Sequence, residues 1–237
     1  GLGKDDFKMP RIKLMQALSP EIRTFQGDAI PGQFWHTGAN VSLGSEFKMI
    51  PVIVGKRVVM FDPNDGSQDG GIIAFSKNAL DWASGGNTKH KIKLKGVKEH
   101  VIWDTGRNVP SSGLLDWGSS NVEDPNSVPA AQLTYEYLCY LPDHPMLSPC
   151  LLGLFRTALP NAKQFNTSLF MLRRPTTSIV VRCFADEKTE GKNAWFVPQF
   201  KTAGFASEEL YNICQDYQKK YGDYTADYNK DATEDDT

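Results

Sequence analysis

One arrangement of residues in this chain could support hydrolysis. Pro142-Asp143 is followed by Asp186-Glu187-Lys188, the order of the PD-(D/E)xK metal-dependent nuclease motif. There, two carboxylates hold a divalent cation and the lysine orients the attacking water. The forty-odd residues between the two parts carry helical patterns and are more than that motif normally spans. A turn aspartate and a charged hairpin end account for the same residues without chemistry. Cys139, His144 and Cys150 have the only ligand-like spacing, with four and five residues between them. Structural zinc sites use tighter pairs. Cys139, Cys150, Cys183 and Cys214 each fall on an apolar face, which fits reduced core thiols. Neither Gly55-Lys56 nor Gly191-Lys192 has the earlier glycine of a phosphate loop, and neither GxSxG nor HExxH occurs. Asp62-Pro63-Asn64-Asp65-Gly66 lacks the spacing and closing glutamate of a calcium loop and reads as a turn. The expectation is a non-enzyme with no metal and no cofactor.

Binding chemistry is better represented. Lys89, Lys91, Lys93 and Lys95 alternate with His90, Ile92 and Leu94. A strand in that register carries four cations on one face. Trp82, Trp103, Trp117 and the earlier Trp35 are flat side chains on which bases can stack. Single-stranded nucleic acid requires that mixture of cations for phosphates and rings for bases. Lys56, Arg57, Arg107, Arg156, Arg173 and Arg174 extend the set of candidate phosphate contacts. The same lysines would also guard a sheet edge, and most tryptophans fill cores.

Charge distribution points the same way. The formal net charge of −2 conceals a body with 23 basic and 19 acidic residues ahead of residue 207. Residues 207–237 hold nine acids against three lysines. A mildly basic body with an acidic tail suits a polyanion partner and an internal competitor for it; solubility alone would also explain the tail.

The elements that must position these residues centre on Ala131–Glu187. Leu133, Tyr135, Tyr137, Cys139 and Leu141 alternate with Thr134 and Glu136, predicting a strand with one buried face. Ser148-Pro149 reads as a helix cap and first turn, ahead of an apolar stripe from Cys150 to Ala158. A second helical pattern runs through Ala162, Phe165, Leu169 and Leu172, and Ile179, Val181 and Cys183 alternate as a returning strand. Upstream, residues 11–18 read as a strand. Phe47–Val54 and Arg57–Phe61 read as two more, joined by a Gly55-Lys56 hairpin turn. Gly71–Phe75, Lys89–Lys95 and Val101–Trp103 continue the β character, and Asp104–Ala130 reads as a long loop. Asn193–Val197 predicts a strand, and Ser207 caps a last helix with Leu210, Ile213, Cys214, Tyr217 and Tyr221 on its apolar face.

The 237 residues, 40% hydrophobic, suffice for a sizeable core, and no apolar run approaches the roughly eighteen residues of a membrane-spanning helix. The division expected is an N-terminal extension at 1–8, one β-rich domain at 9–221 and a disordered acidic tail at 222–237. The fold class expected is mainly β with embedded helices (α+β).

Two segments add a resemblance: Lys13-Leu14-Met15-Gln16-Ala17-Leu18-Ser19-Pro20, and residues 133–175, LTYEYLCYLPDHPMLSPCLLGLFRTALPNAKQFNTSLFMLRRP. Both resemble proteins of tailed bacteriophages, specifically phage-type single-stranded DNA-binding proteins with an OB-like five-stranded barrel and long loops. The resemblance implies sequence-tolerant binding of single-stranded DNA in phage replication, recombination or transcription, in the cytoplasm of the infected bacterial host. It also implies an acidic tail that contacts partner proteins; this tail ends in Asp235-Asp236-Thr237, without the terminal aromatic that some such tails carry. Two other function classes stand beside this one: a metal-dependent nuclease, and a phage structural or adaptor protein that binds only protein.

Overall fold

A computed structural model describes residues 9–61, 72–83, 89–92, 101–104, 106–121 and 123–222. The elements in order are β1 (Arg11–Leu14), α1 (Pro20–Thr24), β2 (Phe34–His36), β3 (Val41–Gly44), β4 (Glu46–Phe61), β5 (Ile72–Ser76), β6 (Lys89–Ile92) and β7 (Val101–Asp104). There follow β8 (Ala131–Tyr140), β9 (Cys150–Phe155), α2 (Leu159–Met171), β10 (Ile179–Glu190), β11 (Asn193–Phe205) and α3 (Glu208–Tyr221). Nine strands form one mixed sheet in the order β11-β10-β4-β8-β9-β1-β2-β3, with β5 also on β4; β6 and β7 pair separately. The protein is mainly β with a few helices. Eleven strands are described where a five-stranded barrel was expected.

The chain divides into two compact units. Residues up to Val54 with Tyr135–Tyr224 form the first, and Gly55–Thr134 lies in the second. In the first unit β8 is buried on both faces. Tyr137 meets α2, its hydroxyl donating to Asn166 Oδ1 at 2.8 Å and its ring lying 5.3 Å from Phe165. Phe165 in turn stacks on Phe200 of β11 at 4.3 Å. α2 buries the Ala162, Phe165 and Leu169 stripe its sequence predicts. α3 covers the opposite face with Leu210, Ile213, Cys214 and Tyr217, packed on Ile50, Val52 and Tyr140. Its cap is the expected one: Leu210 N–H donates to Ser207 Oγ. Gln16 adds a rung beyond β1, its amide donating to Phe196 O and accepting from Phe196 N–H, both at 2.9 Å.

Three sequence expectations are corrected here. β4 runs unbroken through Gly55-Lys56, so there is no hairpin. Neither residue adopts the positive φ a tight hairpin turn needs. Each half also finds another partner: Phe47–Met49 pair with β10, and Val58–Phe61 with β5. Cys150–Phe155 is a strand rather than the start of a helix. Its apolar residues occupy both faces of a buried strand parallel to β1, and a short apolar run does not separate helix from strand by period. Ser148 does not cap a helix; its Oγ accepts from Leu141 N–H at 2.8 Å. Finally, the strand expected over residues 11–18 ends at Leu14.

His36 ties β2 to the turn around Leu147. Buried, it accepts from Ala39 N–H at Nδ1 and donates from Nε2 to Leu147 O, both at 3.1 Å. Acceptance at Nδ1 requires the neutral ring, and burial lowers its pKa below the ordinary value. The unfolded chain, titrating near the ordinary value of about 6.5, therefore binds the proton more readily. The stability this contributes is complete above that pH and is lost on acidification below it. Denaturant unfolding between pH 8 and 5 should show the unaltered protein losing stability toward pH 5 more steeply than His36→Gln. Equal pH slopes for the two would remove His36 from this role.

Candidate nucleic-acid interface

The segment from 106 to 130, expected as a long loop, is held together by its own polar side chains. Val109 and Leu114 anchor it, buried with Val58, Met60 and Ala131 in the core of the second unit. Asn108 Oδ1 accepts from Ser111 N–H at 3.0 Å, and Ser112 Oγ donates to Val109 O at 2.7 Å. Ser119 Oγ donates to Asp116 O at 2.6 Å and accepts from Ala130 N–H at 2.9 Å. Gly118 N–H donates to Ser127 O at 2.8 Å. Gly118 has φ +85°, and a Cβ there would come within 3.1 Å of Pro125. Only glycine fits both demands. On this stapled loop Trp117 is 69% exposed. Arg107 is exposed in the same segment, as are Asp116, Glu123 and Asp124.

The other candidates are distributed differently from the sequence reading. Trp35 is 1% exposed, packed on Phe25 at 5.1 Å with Met15 and Ala29. It fills the core and has no face for a base, which corrects its assignment. Lys56 is exposed, but Arg57 is buried, as are the three residues that follow it in the strand. That burial corrects Arg57 as a surface phosphate contact. Trp82 is half-buried against the Val58 and Met60 cluster. Lys89 and Lys91 stand opposite Asp104 and Ile102 in the β6–β7 pair, and Trp103 stands opposite His90. Lys93 and Lys95 lie outside the described residues. Arg156, Arg173 and Arg174 are exposed in the first unit. α2 separates Arg156 from the other two, and its 13 residues rise about 20 Å.

Sequence reasoning missed three features. Lys48, Arg182 and Lys201 stand in register across β4, β10 and β11. Glu46 lies 3.6 Å from Arg182 and Asp143 lies 3.3 Å from Lys48. Phe170 and Phe205 are exposed aromatics. From His144 to Ala185 the chain has no Asp or Glu, while Arg156, Lys163, Arg173, Arg174 and Arg182 supply five cations. That run was the available signal.

Two carboxylates of the nuclease-like motif are engaged with cations. Asp143 pairs with Lys48, and Asp186 with Lys188 at 2.7 Å and Gln199 at 3.2 Å. The hydrogen bond from Lys188, with that from Gln199, holds the Asp186 carboxyl below its ordinary pKa. Among the described residues no three His, Cys, Asp or Glu side chains converge as metal ligands. Burial raises the thiols of Cys139 and Cys183 well above their usual pKa, and those of Cys150 and Cys214 to about 12.

Trp35 and Trp117, one buried and one exposed, should respond oppositely to truncation. Trp35→Ala removes a buried ring and should cost about 3–5 kcal/mol of stability. Trp117→Ala removes an exposed one and should stay within about 0.5 kcal/mol. Denaturant midpoints measure both, and a large loss for Trp117→Ala would mean that its ring is structural.

No curated protein and no solved structure matches the chain. No described helix is long and apolar enough to cross a membrane. Residues 1–226 match the model of the Pam3 phage gp34-like protein family, and the chain belongs to that family.

Proposed function

We propose that this phage protein binds single-stranded DNA with little regard to sequence and without catalysing a reaction on it. The OB-like reading of its β-rich body belongs to the same proposal: a strand laid over sheet and loops, bases against rings and phosphates against cations. The observation that carries it is Trp117, 69% exposed on a loop fixed by its own serines and asparagines. A large rigid ring left in water is a stacking platform for any base, because every base has a flat π face. Lys56 and Arg107 are exposed cations of the same unit, and Arg156, Arg173 and Arg174 of the other. Replication, recombination and transcription in the infected bacterial cytoplasm are the processes such a protein would serve. The acidic tail would contact their proteins.

Trp117→Ala is the test. A stacked base contributes about 1–3 kcal/mol, so the variant should bind oligothymidine about five- to a hundredfold more weakly. Oligothymidine should also quench the emission of the unaltered protein, and this quench should shrink in the variant. Equal affinities and equal quenching would remove Trp117 from the site. No binding of oligothymidine by the unaltered protein would overturn the proposal.

A further inference from the structure

α2 ends in an unusual way. Its inner stripe is buried, yet its last turn leaves Phe170 80% and Met171 71% exposed. Arg173 then takes the left-handed conformation, φ +49°, at the position after the helix where glycine is favoured. Its N–H donates to Phe170 O at 3.1 Å, closing the turn. A β-carbon in that region is a steric cost that persists only where the surroundings hold it, often at a functional site. Arg174 follows with its guanidinium 4.5 Å from the centre of the Phe205 ring, which is itself 53% exposed. Phe170 and the two arginines thus meet the solvent at one end of α2, and the Arg174 guanidinium reaches from there to the exposed Phe205 ring of β11. The surrounding segment, from His144 to Ala185, contains no carboxylate side chain.

Resting on the single-strand reading, the geometry points to this helix end as a second contact for single-stranded DNA, in the first unit and separate from Trp117. Phe170 and Phe205 receive bases, Arg174 backs the Phe205 ring, and Arg173 neutralises a phosphate. Charge complementarity decides the occupant. A phosphodiester chain supplies anions for two exposed arginines, together with the flat apolar faces that exposed rings take. The left-handed turn has a purpose in this arrangement, because it leads the chain from Phe170 to the arginine that stacks on Phe205.

The test uses the full chain and fluorescently labelled oligothymidine, with Phe170→Ala, Phe205→Ala and Arg173→Gly compared with the unaltered protein. Each ring variant should bind about five- to a hundredfold more weakly. Arg173→Gly should flatten the dependence of log affinity on log salt by about 0.7. It should also raise the denaturant midpoint, since glycine relieves the left-handed turn. Phe170 is so exposed that its truncation leaves folding intact, and matching denaturation curves verify this. Unchanged affinity in both ring variants, with the unaltered protein still binding, overturns this second contact and leaves the single-strand reading standing. No binding by the unaltered protein overturns both. Sedimentation adds a further outcome: self-association lost in Phe170→Ala at unchanged DNA affinity makes the patch an interface between copies, which also overturns the inference.

Discussion

Burial of β8 on both faces is the constraint on which the first unit depends. Tyr137 and Cys139 point to one side, and Leu138 and Tyr140 to the other, all of them buried. A strand with that pattern needs cover on each side, and α2 and α3 supply it. Phe165 of α2 meets Tyr137, and Tyr217 of α3 meets Tyr140 with 5.8 Å between the rings. Each fully buried side chain of this size contributes about 1.5–3 kcal/mol, so uncovering either face would unfold the unit. The helices are therefore fixed by what they cover. Their exposed ends and the open parts of the sheet are left for contacts with other molecules.

This constraint was only half legible in the sequence. Alternation from Leu133 to Leu141 marks the strand but suggests one wet face, because Thr134 and Glu136 interrupt the other. Tyr140 and Leu138 fill that second face in the structure. Both helices that cover β8 were legible in kind. Ser207 with its following glutamates announces α3, and the spacing of Ala162, Phe165 and Leu169 announces α2. The run from Cys150 to Phe155 was not legible: a strand apolar on both faces and a buried helix use the same residues. Gly55-Lys56 misled for a related reason. A glycine and a lysine look like a turn until each flanking half is found paired with a different strand, and pairing partners are not a local property.

The candidate site was legible in composition and not in placement. Serines and asparagines between 104 and 130 predict a loop; only the structure shows them bonded to the loop's own backbone, so that Trp117 is presented rather than buried. Nothing in their sequence neighbourhoods separates Trp35, sealed among Phe25, Met15 and Ala29, from Trp117. Arg57 and Lys56 were indistinguishable as cations until the structure placed one inside and the other at the surface. The signal that was available and unused was the absence of carboxylates between Asp143 and Asp186, which marks the segment carrying α2 as uniformly basic.

Membership of the Pam3 phage gp34-like family establishes a phage protein, and its chemistry rests on what the surfaces can bind. Thymine adds to aromatic side chains stacked on it when irradiated, so photocrosslinking of the full chain to oligothymidine, with the modified peptides mapped by mass spectrometry, reads the contact directly. The account predicts adducts on the peptide carrying Trp117 and on that carrying Phe170. Adducts confined to peptides with neither residue, or none at saturating DNA, would contradict it.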